Sequence, residues 1–512
     1  MLGVVVATLT GDNGILTKVG EAKTQSEIAE EKDIISISAI QAQSESNEIN
    51  IDENRFREAL NQNSKEENKA SLLTKNEESF IVKFESNRCY ILYNNGNISN
   101  AIKLEKDEYA GDITKGGKYK GQDFDDAYRI TCIEDLIEFS IMTNGGNADL
   151  NIPSNFTFQN KYVIMTRTLD FESIFSYNDF GSTKYGDLNE DGTIQNIKEE
   201  LTNKDKKGIG FTPIGGKKYF NGIFDGNNYE IKNIYEYAIN STYLGLFSGA
   251  ANCTIKNLKI SGYFEIPQEN PSAYNTCSAG GIAAYPGYIN IYNCTNNVKI
   301  KSKGFGVGGI IGRTYSGGNI INCGNTADIE NYSGEGAAGI IGRHEGTVKI
   351  YNSYNIGNIK DSCFGGGIVG YYCAGSTCLL DIINVYNKGY INKCGWGNGG
   401  IIGTNASRGK INVKNAFNIG TIEQNNNKSG AFIGCLRNQP IELNISNSFY
   451  IRTANESAVV GKNDELYGVT LCEIIENETI KNVYNSFIES NPDNFDLVEW
   501  KKWKIINNIL EF

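Results

Sequence analysis

The sequence predicts a mainly β protein whose body is a parallel β-solenoid, a coil in which each turn stacks on the one before it. Two repeated patterns predict this fold. A glycine-rich pentapeptide of the type GGIIG returns at regular intervals, and an Asn-x-x-Asn pattern returns at similar intervals, out of phase with it. Composition agrees, because 57 glycines and 29 tyrosines against seven prolines are typical of short strands joined by turns.

The pentapeptide gives the repeat length. Its second residue is in turn Gly281, Gly309, Gly339, Gly367, Gly400 and Ala431, at intervals of 28, 30, 28, 33 and 31 residues. A unit of this length matches one solenoid turn, whereas a propeller blade takes about 40 residues or more. About nine turns, stacked about 4.8 Å apart, would form a rod on the order of 45 Å long. An inward apolar column is predicted from Ile311, Ile341, Val369, Ile402 and Ile433.

The asparagine pattern predicts a second column at the turns. Its pairs are Asn293 and Asn296, Asn322 and Asn325, Asn352 and Asn355, Asn384 and Asn387, Asn415 and Asn418, and Asn482 and Asn485. Asparagine suits turns, where backbone groups are left unpaired, and stacked amides can hydrogen-bond along the rod. One position inside these pairs predicts a small buried slot rather than a metal site, and it holds Cys294, Cys323, Ser353, Val385 and Ala416.

We predict six segments along the chain. Apolar residues at spacings of three and four indicate an amphipathic helix near the amino end and a second helix behind Thr131. The aromatic carboxyl end breaks the repeat period, as a terminal cap would. The segments are an amphipathic helix over 1–45, a polar linker over 46–78, a small β-hairpin region over 79–127, a capping helix with an insertion over 128–204, the solenoid over 205–490 and a cap over 491–512.

The amino-terminal part resembles a family of surface proteins. Residues 7–43, ATLTGDNGILTKVGEAKTQSEIAEEKDIISISAIQAQ, resemble the part that follows the membrane-embedded start of prepilin-like proteins of Gram-positive, clostridia-like bacteria, and the hairpin of 80–98 is similar to theirs. That family's basic leader and FTLIE start do not precede these residues, so we expect an amino-terminally truncated chain. The resemblance implies a membrane tether if that end is restored. The alternative is an ordinary amphipathic helix on a soluble domain.

The repeats also carry a resemblance. Over residues 205–490 the pentapeptides and the intervening I-x-N-C-x-N-x-x-x-I pattern resemble the GLUG-type repeats of bacterial surface proteins, some of which accompany immunoglobulin A-cleaving metallopeptidases. The peptidase motif H-E-x-x-H needs two histidines, and the chain has only His344. The resemblance therefore implies an extracellular or cell-surface location, with glycans, host surface proteins or pilin-like assembly components as partners.

Charge and one acidic motif bear on ligands. The net charge of -12 argues against nucleic acid as a partner, because no basic stripe is apparent that could neutralise phosphates. The stretch DLNEDGTIQNIKEE follows the start of a calcium loop, with oxygen ligands at alternate positions. Its twelfth position is a lysine, so an ordinary Asp/Gly turn is the alternative. The predicted calcium ligands are Asp187, Asn189, Asp191, Thr193 and Glu199.

A second candidate site follows the pentapeptides. Arg313 and Arg343 occupy equivalent positions and could stack beside Glu345 as a ligand-binding stripe, the alternative being a solvated face. The sequence contains no recognisable catalytic constellation. We therefore expect a protein that acts in adhesion, or as a structural or binding module towards glycans or host surfaces. The alternative is a polysaccharide lyase or glycoside hydrolase on the same scaffold, which would need carboxylates paired about 5–10 Å apart.

Overall fold

The structure is a computed structural model of the 512-residue chain. It describes residues 15–46, 51–76, 79–86, 88–93, 96–98, 102–103, 117–119, 122–124, 127–130, 133–145, 158–159, 161–171, 209–238, 242–267, 277–361, 363–392, 395–423, 428–451, 458–461, 469–472, 477–490, 500–506 and 509–512. These residues belong to two compact units, one before residue 107 and one after it. Within the described helices, none is both long enough and apolar enough to cross a membrane.

The first unit packs two helices on a small antiparallel sheet. Helix α1 spans Ile15–Ser46 and helix α2 spans Glu53–Asn63. Asp52 caps α2, since its side chain accepts a 3.0 Å hydrogen bond from the backbone N–H of Arg55. The sheet strands β1 to β4 span Ala70–Asn76, Ser79–Phe84, Arg88–Tyr93 and Ile102–Lys103. The shared core includes Ile35, Phe56, Leu60, Phe80, Val82, Phe84 and Leu92.

A buried ion pair joins α1 to this sheet. Arg88 donates to the carboxylate of Glu31 from Nε at 2.7 Å and from Nη2 at 3.1 Å, and Tyr90, Asn68 and Ser86 donate to it as well. Burial acts to raise the pKa of Glu31, but these hydrogen bonds, with Arg88 foremost, lower it on balance. The carboxylate is therefore ionised and pins the helix to the strands.

Residues 46–78 differ from the polar linker that we predicted. They contain α2 and β1, and their Phe56, Leu60 and Leu72 are buried in the core of the first unit. The segment is polar on average, but the buried side chains of α2 fall on one face of that helix. Position rather than composition decides burial here.

The second unit contains 36 of the described strands and two helices, α3 over Ile133–Thr143 and α4 over Asn477–Ser490. Its first strands are β5 Gly117–Tyr119, β6 Gln122–Phe124, β7 Ala127–Ile130, β8 Tyr162–Met165, β9 Leu169–Asp170, β10 Ile209–Gly210, β11 Ile223–Asp225, β12 Glu230–Tyr237, β13 Tyr243–Leu244, β14 Cys253–Lys256, β15 Lys259–Glu265, β16 Ser278–Gly280, β17 Tyr288–Tyr292, β18 Thr295–Gly304, β19 Gly306–Gly308, β20 Ile311–Thr314, β21 Gly317–Ile321 and β22 Gly324–Asn325. The remaining strands are β23 Ile329–Gly334, β24 Ala337–Ala338, β25 Ile341–His344, β26 Thr347–Asn355, β27 Ile359–Asp361, β28 Phe364–Gly366, β29 Val369–Tyr372, β30 Leu379–Asn387, β31 Gly397–Gly399, β32 Ile402–Asn405, β33 Lys410–Asn418, β34 Ser429–Leu436, β35 Glu442–Ser446, β36 Ser448–Ile451, β37 Ala458–Val460, β38 Val469–Cys472, β39 Lys504–Ile506 and β40 Ile509–Glu511.

These strands form a parallel β-solenoid of about eight turns of about 31 residues, which confirms the predicted fold class. Each turn contributes to two extended sheets, which contain 20 and 12 strands in the described residues. A strand pairs in parallel with its counterpart one turn away, as β26 does with β30. The larger sheet already includes β7 and β8, which carry no pentapeptide and therefore gave no signal in the sequence.

The pentapeptides form an inward apolar column. Ile311 pairs with Ile341, and the register continues through Val369, Ile402 and Ile433. All five side chains are fully buried. The solenoid core is therefore built from one position that recurs in each turn.

The first asparagine of each pair holds a left-handed backbone. Asn293, Asn322, Asn352, Asn384 and Asn415 have φ between 48° and 58°, a region that asparagine tolerates better than most residues with a side chain. The side-chain amide of Asn322 donates to Asn293 at 2.9 Å, and that of Asn415 donates to Asn384 at 2.8 Å. The turns are thus linked along the rod by stacked amides.

The second asparagine of each pair lies inside the solenoid, against the pentapeptide glycine of its own turn. Asn355 is fully buried; it accepts from Asn325 and donates to Asn387, both at 2.8 Å. A Cβ on Gly339 would lie 2.4 Å from the Cγ of Asn355. Four other glycines face their asparagines in the same way, namely Gly281, Gly309, Gly367 and Gly400, opposite Asn296, Asn325, Asn387 and Asn418. The two sequence patterns are therefore the two sides of one contact.

The last pentapeptide shows that glycine is needed only where an asparagine faces it. It carries Ala431 where the others carry glycine, and Tyr450 follows Asn418 in the strand register. Since this turn has no asparagine amide at that place, the methyl group of Ala431 is accommodated and buried.

Helix α3 covers the aromatic core of the first turns. Phe139 lies 4.7 Å from the ring of Phe158, 5.6 Å from that of Phe220 and 6.0 Å from that of Phe224. All four rings are buried. The helix therefore supplies the apolar surface that a terminal turn needs.

The carboxyl-terminal segment packs on the side of the solenoid. Trp503, which is 1% exposed, contacts Tyr484 of α4 at 4.6 Å and Tyr386 of β30 at 5.7 Å, and its indole N–H donates to Asn384. We expected this aromatic segment to cover the last turn. It packs instead against an outward aromatic column of earlier turns that includes Tyr354, Tyr386 and Phe417.

Asn482 and Asn485 are not a solenoid pair, which corrects the sequence interpretation. Both lie in helix α4. Asn485 accepts a 2.8 Å hydrogen bond from the backbone N–H of Trp503 and donates to its carbonyl at 3.1 Å. The pattern Asn-x-x-Asn also fits one turn of a helix, so the spacing alone could not distinguish the two.

One carboxyl group lies in the apolar interior. Glu236 is 1% exposed and occupies the same inner column as Phe264, Ile300 and Ile329. Its Oε2 accepts a 3.2 Å hydrogen bond from the backbone N–H of Gly245, and its Oε1 has no hydrogen-bond partner among the described residues. Burial raises the pKa of Glu236 well above its ordinary value, so the folded protein favours the protonated acid.

We expect Glu236→Gln to stabilise the protein at pH 7 by about 1 kcal/mol or more. Above the ordinary pKa of a carboxyl, the unfolded chain loses a proton that the folded chain keeps. The free energy of unfolding therefore falls as pH rises from the ordinary carboxyl pKa to the raised pKa of Glu236. Glutamine does not titrate, so the variant does not lose this stability. Urea denaturation of both proteins from about pH 4.5 to 8 checks it. Parallel pH profiles for the two proteins would contradict the buried-acid assignment.

Candidate functional site

One position of the 12-stranded sheet places aromatic and arginine side chains in line. Arg313 pairs with Arg343 and Arg343 with Tyr371, and Tyr285 precedes them in the register set by the bridge of the adjacent turn. The next residue in each of the last three strands, Thr314, His344 or Tyr372, is buried. Because these neighbours are buried whereas the side chains of Arg313 and Arg343 remain partly exposed, the column lies on the outer face.

The arginines alternate with aromatic rings. The Cζ of Arg313 lies 5.2 Å from the ring centre of Tyr285 and 5.4 Å from that of Phe305. The Cζ of Arg343 lies 4.8 Å from Phe305 and 5.2 Å from Tyr371. Each guanidinium is thus held between two ring faces, an arrangement that stabilises the cation and orients the rings.

Two carboxylates neutralise these arginines. The Oε1 of Glu345 accepts from the Nε of Arg313 at 2.8 Å and from the Nε of Arg343 at 2.7 Å, and Glu335 pairs with Arg343. The Glu345 side chain is 22% exposed, and those of the two arginines are 19% and 14% exposed. The centre of the column is therefore a fixed, internally paired network rather than a free anion site.

Glycines in the adjacent strands leave room for this column. A Cβ on Gly306 would lie 3.1 Å from the Cβ of Arg343, and one on Gly336 would lie 3.2 Å from the Cβ of Tyr371. Phe364 stacks on Tyr371 with ring centres 4.5 Å apart. Phe364 pairs with Gly397 of the next turn, so this aromatic side chain lies beside an open position.

Exposed aromatic side chains lie at both ends of the column. At one end Tyr315 packs 5.3 Å from Tyr285, and Tyr219 fills the space beside Gly249. Tyr219, Tyr315 and, at the other end, Trp396 are 47%, 43% and 51% exposed. We call the whole set the aromatic–arginine stripe, which comprises Tyr219, Tyr243, Tyr285, Phe305, Arg313, Tyr315, Arg343, Phe364, Tyr371 and Trp396.

The stripe is long, and burial keeps two of its tyrosines neutral. It follows the strands β13, β16, β19, β24, β28 and β31, which span roughly 25 Å because neighbouring strands lie about 4.8 Å apart. Burial raises the pKa of Tyr243 and of Tyr371 above the ordinary value, so both keep their hydroxyl protons at neutral pH. The exposed rings at its two ends can contact an elongated ligand, whereas Phe364 and Tyr371 between them are 2% and 7% exposed.

The structure brings together the three residues of the predicted stripe, Arg313, Arg343 and Glu345, while ligand binding by them stays a prediction. Sequence reasoning missed their aromatic partners. Tyr285 and Tyr371 occupy the same repeat position as the arginines and could have been found by aligning it. Phe305, Phe364 and Trp396 each stand three or four residues before a pentapeptide glycine, which is a weaker signal.

The predicted calcium ligands lie outside the described residues, namely Asp187, Asn189, Asp191, Thr193 and Glu199. Within the part of the chain that the structure describes, no three His, Cys, Asp or Glu side chains converge as a metal site. Calcium binding therefore stays a prediction from the sequence.

The chain has little similarity to known proteins in the comparisons made. No protein-family model matches the sequence, and no curated protein matches it. A crystal structure of a candidate immunoglobulin A1 protease from Bacteroides ovatus is similar at 17% identity over 78% of this chain and 95% of that chain, with a TM-score of 0.39. This similarity is too low to carry an argument about function.

Proposed function

We propose that the protein is an extracellular or cell-surface β-helix protein that binds glycans through the aromatic–arginine stripe, in adhesion or as a binding module. One observation carries the proposal: exposed aromatic rings at both ends of the stripe, Tyr219 and Tyr315 at one and Trp396 at the other, are joined by a packed row of arginine and aromatic side chains. The C–H face of a sugar ring is apolar and slightly positive, and it packs on the negative face of an aromatic ring. Rings that are already fixed lose little entropy on binding.

The extracellular or cell-surface location and the family in this proposal are supported by the sequence resemblances. The finer assignment is a Gram-positive, prepilin-like surface protein with GLUG-type repeats. Host surface proteins and pilin-like assembly components are its proposed protein partners, and calcium bound between Asp187 and Glu199 is a separate proposal. Glycan binding does not depend on any of these, because it is argued from the stripe.

We expect Tyr219→Ala/Tyr315→Ala to weaken glycan binding at least tenfold, since truncating aromatic anchors at an interface costs about 1–2 kcal/mol or more. A glycan array followed by titration calorimetry with the best ligand measures the loss. Tyr288→Ala is the matched control, because Tyr288 is 44% exposed but lies in strand β17 of the other sheet, outside the stripe.

Two results would contradict the proposed function. One is equal binding by the double variant and the native protein, which would place the ligand elsewhere. The other is the appearance of new reducing ends or unsaturated sugars when polysaccharides are incubated with the protein, which would indicate a hydrolase or lyase.

A further inference from the structure

The Trp396 end of the stripe carries two cations. The Nζ of Lys428 lies 4.5 Å from the ring centre of Trp396, and the Cζ of Arg437 lies 5.6 Å from it. Trp396 remains 51% exposed with both cations beside it. An exposed aromatic face and two positive charges are therefore within reach of one ligand residue.

These cations lack the carboxylate partners that the central arginines have. Arg313 and Arg343 are paired with Glu345 and Glu335. Among the described residues, neither Lys428 nor Arg437 is in an ion pair. The positive charge at this end is therefore available to an anion, whereas that at the centre is not.

The acidic side chain next to this end points elsewhere. The backbone carbonyl of Glu423 accepts hydrogen bonds from Asn398 and Ser429, which bracket the Trp396 end. Its carboxylate, however, accepts a 2.6 Å hydrogen bond from the hydroxyl of Tyr390. The protein as a whole carries a net charge of -12, so it repels polyanions except where positive charge is concentrated.

We infer that the Trp396 end, with Lys428 and Arg437, recognises an acidic sugar residue of the bound glycan. The acidic group pairs with the two cations, and the C–H face of the sugar packs on the exposed part of Trp396. This inference rests on the proposed function and adds the charge class of the ligand to it. Carboxylated and sulfated sugars share this chemistry.

The test compares acidic polymers with their uncharged counterparts. We expect the native protein to bind polygalacturonate at least tenfold more tightly than its fully methyl-esterified form, or dextran sulfate at least tenfold more tightly than dextran. The first pair reports on carboxylates and the second on sulfates. Lys428→Gln/Arg437→Gln is expected to remove the preference, and Trp396→Ala to weaken binding of the preferred acidic polymer.

A matched control distinguishes binding at the Trp396 end from a general effect of net charge. Lys299→Gln/Lys360→Gln makes the same change in net charge at two exposed lysines of the other sheet, and it is expected to keep the preference. Loss of the preference in this control, or equal binding of duplex DNA, would overturn the inference. Binding of neutral glycans without an acidic preference would overturn it and leave the proposed function standing. Failure to bind any glycan would overturn both.

Discussion

Replacing Gly339 with alanine is expected to lower the free energy of unfolding by about 3 kcal/mol. The new Cβ would lie 2.4 Å from both Cγ and Oδ1 of Asn355. Asn355 cannot yield easily, because it is fully buried and hydrogen-bonded to Asn325 and Asn387 in the adjacent turns. Urea denaturation of the full chain, followed by far-UV circular dichroism, measures the effect.

Gly375→Ala is the control for this substitution. No atom outside its immediate neighbours lies within 4 Å of a Cβ placed there, so a change within about 0.5 kcal/mol is expected. Combining Gly339→Ala with Asn355→Gly should cost less than the sum of the two single changes, since the second removes the atoms that clash. Additive effects would mean that glycine is needed at 339 for another reason.

Replacing Trp503 with alanine is expected to destabilise the docking of the carboxyl-terminal segment by about 3–5 kcal/mol. The side chain is 1% exposed and contacts Tyr386, Tyr484 and Phe512. Its loss leaves a cavity and removes the hydrogen bond to Asn384. Hydrogen exchange should show faster exchange in the residues of helix α4, with limited proteolysis cleaving the same region first.

Two further variants serve as controls. One tests whether the packing of Trp503 or its hydrogen bond matters more, and the other removes a different tryptophan. Trp503→Phe keeps most of the buried area and is expected to cost much less than alanine. Trp396→Ala removes a tryptophan that is 51% exposed and is expected to leave exchange in helix α4 unchanged. Unchanged exchange in Trp503→Ala would mean that this residue does not hold the segment on the solenoid.

The repeated patterns were enough to predict the solenoid, because parallel turns put equivalent residues in contact. Any position that recurs once per turn must form a column, as Ile311, Ile341 and Val369 do. The same reasoning brought Arg313 and Arg343 together beside Glu345. It could not assign their aromatic neighbours Phe305 and Phe364 with equal ease, since these come from the adjacent strand and do not share the arginine position.

The residue spacing gave a wrong prediction where the same spacing fits two kinds of structure. Asn482 and Asn485 match the asparagine pattern but lie in a helix, because residues three apart also share a helix face. Average polarity gave a wrong prediction for residues 46–78, where Phe56, Ala59 and Leu60 form the buried face of a polar helix. Both errors arise because local pattern does not say what an element packs against.

The sequence by itself determined the repeat, the parallel stacking and the columns that it builds, because these follow from one period along the chain. Only the tertiary structure revealed that the pentapeptide glycine leaves room for the second asparagine of the same turn, as Gly339 does for Asn355. It also decided that Trp503 packs on the side of the solenoid and that Glu236 lies in the core. These contacts join residues of different positions in the repeat, or outside it, and their geometry depends on how the chain turns in space.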